Sequence, residues 1–390
     1  MSGWDRRAQV VAAVLAALVV VSAGIYLASG SSSPSNPARA LARATGTTGR
    51  AVKATGTPNS IAGHATPGVN PTTGSSATAG PTSTAGPGGG ATPTATTIVQ
   101  PTATATPPPT GIPSYSHVYL IVMENTAYNS VVSASAAPYL NNTLIPSGAL
   151  ATNYYALTHP SAPNYWALTS GQIPQYSNCT LPPKASTTPN CLWNFRNLGD
   201  ELSGAGLSWG AYYEDMPQDC YADHNVVPTA PNGYTYTPNY NPWINYTDVN
   251  PSRCADDAPF PANGASGLAS VVSGKNFAMI SPNLLHDMHS GSNPVSAGDT
   301  WLGQYVPAIQ QSPACAQSSC LIIITWDEDD SAHGNHVAAI MWGSSSVPAG
   351  RKDGKSYNHY ALLHTIERAL GLGTLTANDQ NAPLMSGMFG

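Results

Sequence analysis

The segment His159-Pro-Ser161-Ala-Pro-Asn164-Tyr165 places one hydroxyl ahead of a Pro-Asn step and an apolar run that ends at Gly171. A serine at a helix start lies beside unpaired backbone N–H groups and the positive end of the helix dipole. Such a position attracts an anion, so a phosphate can be held there while the serine attacks it. An ordinary N-cap serine is the plain alternative. Polar residues elsewhere shift the balance. Glu124-Asn125 closes the apolar run His117–Met123. Pro282-Asn283 leads into His286-Asp287-Met-His289. Thr325-Trp-Asp327-Glu328-Asp329-Asp330 precedes Gly334-Asn335-His336 and, later, Tyr357-Asn358-His359-Tyr360.

Carboxylates and an amide oxygen suit Mg²⁺, Ca²⁺ or Mn²⁺, and carboxylates with imidazole also suit Zn²⁺. A divalent cation beside Ser161 stabilises its alkoxide and the transferring phosphoryl oxygens. Histidines then protonate a leaving alkoxide or activate the water that releases the phospho-enzyme. Phosphoryl transfer depends chiefly on positioning and charge neutralisation, which such a set supplies.

The elements that must position these residues alternate between two patterns. Strand-like runs are His117–Met123, Trp209–Tyr213, Phe277–Ile280, Leu321–Trp326 and Val337–Trp342. Helix-like runs are Tyr165–Ser170, Leu198–Leu207, Thr300–Ile309 and Tyr360–Leu370. The alternation predicts an α/β layer architecture with a mostly parallel central sheet. In such sheets ligands bind outside the carboxyl ends of the strands. Glu124, Asn125, Asn283, Asp327 and Glu328 all fall there, and Glu214-Asp215 ends a further strand. The stretch from Asn178 to Pro261, rich in Pro, Asn, Tyr and Cys, reads in part as a disulfide-pinned insertion or cap.

Other residues read as structural. Asp329 and Asp330 are solvated loop charges, His117 starts a strand, His224 and His333 sit in exposed loops, and Trp209, Tyr212 and Tyr213 pack.

The N-terminal third has a different composition. Arg6 and Arg7 precede nineteen uncharged residues, Val10 to Ala28. As a helix this run is roughly 28 Å long, close to a bilayer's hydrocarbon thickness. It reads as an uncleaved signal anchor or a signal peptide, either of which puts the rest outside the cytoplasm. Residues 31–113 are Ala, Thr, Pro, Gly and Ser with few large apolar side chains. They cannot bury enough surface to offset chain entropy, and read as a disordered stalk. A flexible coil of this length spans roughly 50 Å. Residues 114–390 are then the foldable domain.

All six cysteines lie in that domain. An even count behind an export signal predicts disulfides. Nearest-neighbour pairing, 179–191, 220–254 and 315–320, is the expectation. One of the twenty acidic residues and six of the fourteen Lys and Arg precede Ser114, leaving 19 against 8. That balance excludes a nucleic-acid-binding surface, which needs a basic stripe.

In order and combination, Glu-Asn, His-Pro-Ser-x-Pro-Asn-Tyr, Pro-Asn-x-x-x-Asp-Met-His, Thr-x-Asp-Glu and Tyr-Asn-His-Tyr resemble the bacterial phosphoesterase family. That family contains secreted acid phosphatases and phospholipases C within the alkaline-phosphatase-like superfamily. The resemblance runs from Tyr115 to Leu372. The Ser-x-Pro-Asn piece is also similar to the Thr-x-Pro-Asn nucleophile turn of nucleotide pyrophosphatase/phosphodiesterases.

The resemblance implies an alkaline-phosphatase-like three-layer sandwich with Ser161 as nucleophile and Asn164 as an oxyanion contact. It implies that Glu124, Asn125, Ser161, Asp327 and Glu328 surround a metal, with Asp287 as a further ligand. His159, His286, His289, His336 and His359 would line the phosphate and leaving-group side. Glu124 stands where the superfamily usually has Asp, Asn283 where a second-metal Asp is expected, and Glu328 where a His is frequent. These departures favour a single metal or an altered pair. The expected activity is exported, metal-dependent hydrolysis of phosphate monoesters through a phosphoserine. A lipid-directed phospholipase C or phosphoinositide phosphatase is the second reading. A non-catalytic cell-wall-binding module on a stalk is the competing class.

Overall fold

The computed structural model describes residues 111–176, 191–222 and 235–390. The anchor or signal segment, nearly all of the stalk, Cys179 and His224 lie outside the described residues. Among the described residues no helix is long and apolar enough to cross a membrane.

The strands are β1 (His117–Met123), β2 (Ala149–Tyr155), β3 (Trp209–Tyr213), β4 (Asp257–Pro259), β5 (Phe277–Ser281), β6 (Cys320–Trp326), β7 (His336–Gly343), β8 (Arg351–Asp353) and β9 (Tyr357–Asn358). The helices of seven residues or more are α1 (Ser161–Ser170), α2 (Leu198–Gly204), α3 (Gly264–Ser273), α4 (Pro294–Gln310) and α5 (His359–Ala369). One sheet runs β4-β3-β5-β1-β6-β7-β2-β8, with β9 also on β2. Pairing is parallel except on both sides of β7, which is antiparallel to β6 and β2. A short return from β6 permits only an antiparallel neighbour, because a parallel one needs a long crossover.

Sequence explains the central strands. Every residue of β6 and six of the seven in β1 are buried. A continuous Val/Ile/Leu run, rather than alternation, marks a strand covered on both faces. Each such side chain contributes roughly 1.5–3 kcal/mol on burial. The covering helices form two packed groups, α1 with α2 and α5, and α3 with α4. A doubly covered sheet between them is the three-layer sandwich expected.

Several elements lack a sequence signal: the strands β2, β4, β8 and β9, and the helix α3. β2 (Ala-Leu-Ala-Thr-Asn-Tyr-Tyr) has a single β-branched residue, and α3 carries two glycines, so neither stands out by propensity. The stretch from Asn178 to Pro261 includes the helix-like and strand-like runs noted above. It supplies β3 and β4 to the sheet edge and α2 to a helical layer, so much of it is core. Cys220–Cys254 and Cys315–Cys320 are bonded as expected. Cys191 is also disulfide-bonded.

Parallel register aligns the strand ends. Met123 pairs with Trp326, Tyr213 with Ser281, and Tyr155 with both Asn358 and the start of antiparallel β7, His336. The residues that follow therefore emerge on one edge.

The two bonded pairs span 34 and 5 residues. Restricting the unfolded chain stabilises more for the longer loop, about 4 against about 2 kcal/mol. Urea unfolding of the Cys220→Ser/Cys254→Ser and Cys315→Ser/Cys320→Ser variants is expected to show that order. A larger loss from the short loop would contradict it.

Candidate active site

Ser161 opens α1. The preceding Pro160 is extended, Pro163 in the first turn removes an N–H that has no helical acceptor, and Gly171 ends the helix at φ 67°. β2 delivers the loop that carries His159 and Ser161 to the carboxyl edge. β1 and β6 deliver the acids. The Asp327 N–H donates to the Met123 carbonyl at 3.1 Å, so Glu124 and Asp327 leave adjacent strands side by side.

Ser161 Oγ lies 3.2 Å from Glu124 Oε2 and 3.2 Å from Glu328 Oε1. A hydroxyl has one proton and cannot donate to both carboxylates at once. Asn125, at φ 34°, turns both of its amides onto the cluster. Its N–H donates to Asp327 Oδ1 at 3.1 Å and its Nδ2 to Glu328 Oε1 at 2.7 Å. His159 bridges two acids, with Nδ1 2.9 Å from Glu328 Oε2 and Nε2 3.2 Å from Asp329 Oδ1. Hydrogen bonds thus join Glu124, Asn125, His159, Ser161, Asp327 and Glu328, all singled out from sequence.

The electrostatics are unbalanced. Burial, then the charge of Asp327, pushes Glu124 well above the ordinary carboxylate range, against a lowering bond from Tyr165. Burial and Glu328 do the same to Asp327. Burial raises Glu328 less, because His159 opposes it. Among the described residues no Lys or Arg pairs with these acids. Asp327 Oδ2 and Asn125 Oδ1 are buried without a partner. Orphaned oxygens of hard-ligand type, in a cluster short of positive charge, fit a divalent cation.

Other expected residues take different places. Asn164 is buried and braces the loop before Ser161. Its Oδ1 accepts from the Leu157 and Thr158 N–H groups, and its Nδ2 donates to the Thr158 carbonyl at 2.8 Å, with Glu328 Oε2 at 3.4 Å. Asp287 accepts from the His289 and Ser290 N–H groups and from the Tyr240 hydroxyl. His286 pairs with Glu214 Oε2 at 2.9 Å, in the wall of a separate cavity of about 410 Å³. Burial lowers His286, but Glu214 and nearby acids outweigh it and raise it. His289 lines a different pocket, beside Asn125. His336 is sandwiched between Tyr128 and Tyr155, with Nε2 3.1 Å from the Thr152 carbonyl. His359 is fully buried, with Nδ1 on the Tyr154 hydroxyl and Nε2 on the Asp327 carbonyl. Burial pushes it down to about 4, so above that pH it is neutral and holds Asp327 in place rather than protonating a leaving group.

Three contributors were missed. Tyr165 donates to Glu124 Oε1 at 2.5 Å. It lies one helical turn from Ser161, a spacing that could have flagged it. Asp329 is not the solvated charge expected. It is buried and accepts from the Ser331, His333 and Asn335 N–H groups while bracketing His159. Asp330 and His333 are exposed, as read. Asp329, Asp330 and His333 also bring ligand-type atoms within 4.8 Å of one another. Tyr240, stacked on Tyr165, comes from a loop with no sequence signal.

The sheet brings buried acids and the serine that opens α1 to one edge, an arrangement that suits hydrolysis of anionic esters. The chain belongs to the Phosphoesterase family, whose model matches residues 130–373, and it acts on phosphoric ester bonds. Glu124 and Asn125 fall just before the matched range. The chain is 29% identical over 282 residues to a phosphatidylinositol-3-phosphatase of Mycobacterium tuberculosis, covering 72% of this chain and 85% of that protein. It is 27% identical to a phosphate-repressible acid phosphatase of Penicillium chrysogenum, covering 62% and 57%. It is 25% identical to an acid phosphatase of Aspergillus fumigatus, covering 70% and 58%. The chain therefore spans less than two thirds of those fungal enzymes. A solved protein of the alkaline phosphatase superfamily from Vibrio parahaemolyticus matches with TM-score 0.47 and 15% identity, covering 70% of this chain and 71% of that one.

Two outcomes are expected. Tyr165→Phe leaves a buried Glu124 oxygen without its donor and should cut kcat/KM about 10–100-fold with little loss of fold. Steady-state kinetics beside a thermal melt separates the two. The second concerns pH. A carboxyl raised in the folded state holds its proton more tightly there than when unfolded. Stability of metal-free protein should then fall as pH climbs from the unfolded value of about 4 toward neutrality and beyond. Asp327→Asn should flatten that fall and add about 0.5–2 kcal/mol at pH 7, at the expense of activity. Melting temperature against pH, with chelator and with added Mg²⁺ or Zn²⁺, measures it. An unchanged slope in Asp327→Asn would refute the assignment.

Proposed function

We propose that this protein is an extracytoplasmic phosphomonoesterase of acid-phosphatase type, working through a phospho-Ser161 intermediate. The observation that carries the reading is Ser161 Oγ, at the mouth of α1, within 3.2 Å of two buried carboxylates. Disulfides support a compartment outside the reducing cytoplasm. The acid phosphatases among the relatives support the monoester chemistry.

Glu124, Asn125, Ser161, Asp327 and Glu328 would hold the divalent cation. When bound, it supplies positive charge to the serine oxygen and to the phosphoryl group. The remaining roles fall to the chain. Ser161 Oγ gives its proton to a neighbouring carboxylate and forms a bond to phosphorus as the ester P–O bond breaks. The α1 N-terminus, with its free N–H groups, favours the phosphoryl oxygens. His159, held through both ring nitrogens by Glu328 and Asp329, braces the loop two residues before the nucleophile. The departing alkoxide takes up the proton that the carboxylate received from Ser161, and water then cleaves the phosphoserine, returning a proton to the Ser161 oxygen and releasing phosphate. Hydrolysis of a lipid monoester is the second reading, favoured by the phosphatidylinositol-3-phosphatase relative. A purely adhesive module gives no reason for buried, uncompensated acids.

Ser161→Ala should lower p-nitrophenyl phosphate turnover at least 10³-fold, of the order seen when a nucleophile is removed. Acid quenching of wild type with substrate should trap phosphate on the peptide that contains Ser161. Turnover near wild type in the variant, or label on another residue, would remove Ser161 from the mechanism. Chelation should abolish turnover and a divalent cation restore it.

A further inference from the structure

A pocket of about 380 Å³ lies beside Asn125, lined also by Thr126, Met288, His289, Asp330 and Ser331. Asn125 ties it to the chemistry. Its Nδ2 is 2.7 Å from Glu328 Oε1, which is 3.2 Å from Ser161 Oγ. The volume lies in the range of small-ligand sites. The pocket is therefore two hydrogen bonds from the Ser161 hydroxyl.

The charge of the pocket is one-sided. Among the described residues no Lys or Arg lines it, and Asp330 places a carboxylate on its rim. Behind Asn125 stand Asp327 and Glu328, both hydrogen-bonded to it. The groups of opposite character are two imidazoles. His289 is in the wall, and His333 sits on the solvent side with Nδ1 2.7 Å from Asp330 Oδ1. Recognition of a second phosphate or a carboxylate calls for Arg or Lys. The Ser331 hydroxyl and the apolar Met288 side chain instead suit an alcohol with no negative charge of its own.

We infer that this pocket is the alcohol subsite, and that Asp330 makes the enzyme select monophosphates of compact, non-anionic alcohols. The inference rests on the phosphomonoesterase reading of Ser161. It weighs against an inositol lipid as the natural substrate, because that ring already carries a phosphodiester charge.

The test compares wild type, Asp330→Asn and Asp330→Lys on three substrates at low ionic strength. These are p-nitrophenyl phosphate with a neutral alcohol, choline phosphate with a cationic one, and a hexose bisphosphate with an anionic one. A charge about 6 Å away in a partly wet site changes binding roughly threefold to a hundredfold. The ratio of kcat/KM for choline phosphate over the bisphosphate should fall at least tenfold in Asp330→Lys and less in Asp330→Asn. Thermal melts should show both variants folded, and the shift should shrink in 1 M salt, where charges are screened. A ratio unchanged in folded Asp330→Lys overturns the inference. Should that variant misfold, Asp330→Asn gives the same comparison. If wild type hydrolyses none of the three, the phosphomonoesterase reading fails. Calorimetric binding of choline phosphate and the bisphosphate to wild type and Asp330→Lys then decides the pocket's preference without turnover.

Discussion

Buried negative charge with no Lys or Arg partner among the described residues is the constraint around which this molecule is arranged. Glu124, Asp327 and Glu328 crowd a single hydroxyl. Isolated carboxylates in such a setting are costly. The fold bears that cost with fixed donors: the Tyr165 hydroxyl, both amides of Asn125 and the His159 ring. Two oxygens are still left over. A site of this kind is stable only when protons or a cation complete it, which ties its stability to its chemistry.

The supporting shell explains how loops achieve that precision. His359, neutral and enclosed, fastens the Asp327 backbone to Tyr154 of β2. Asp329 gathers three backbone amides of the β6–β7 connection and holds His159 from behind. Asn164 ties the 157–160 loop to the helix that carries Ser161. Each is a buried polar side chain with its hydrogen bonds satisfied, and such networks fix one geometry. The covered sheet beneath gives them a rigid base.

Much of this was legible before any coordinates. Apolar runs ending in Glu124 and Asp327 announced strands with acids at their carboxyl ends, and Ser161 before a Pro-Asn step announced a helix start. The histidines were harder. His336 and His359 share a motif-like setting with His159, yet one is packed between tyrosines and the other closed off behind Asp327. Residue type shows what a side chain can do, but not which way its ring faces. β2 and α3 were silent because neighbours, rather than propensity, hold them in place.

The sequence by itself determined the layer architecture, the helix that Ser161 opens and the acids that end its strands. All of these depend on local patterns of polarity along the chain. Tertiary structure alone decided the partners: Tyr165 on Glu124, Asp329 behind His159, and His286 with Glu214 in a separate cavity. Those pairings join residues from different elements, several of them far apart in the chain. They exist only once parallel register brings several strand ends to one edge.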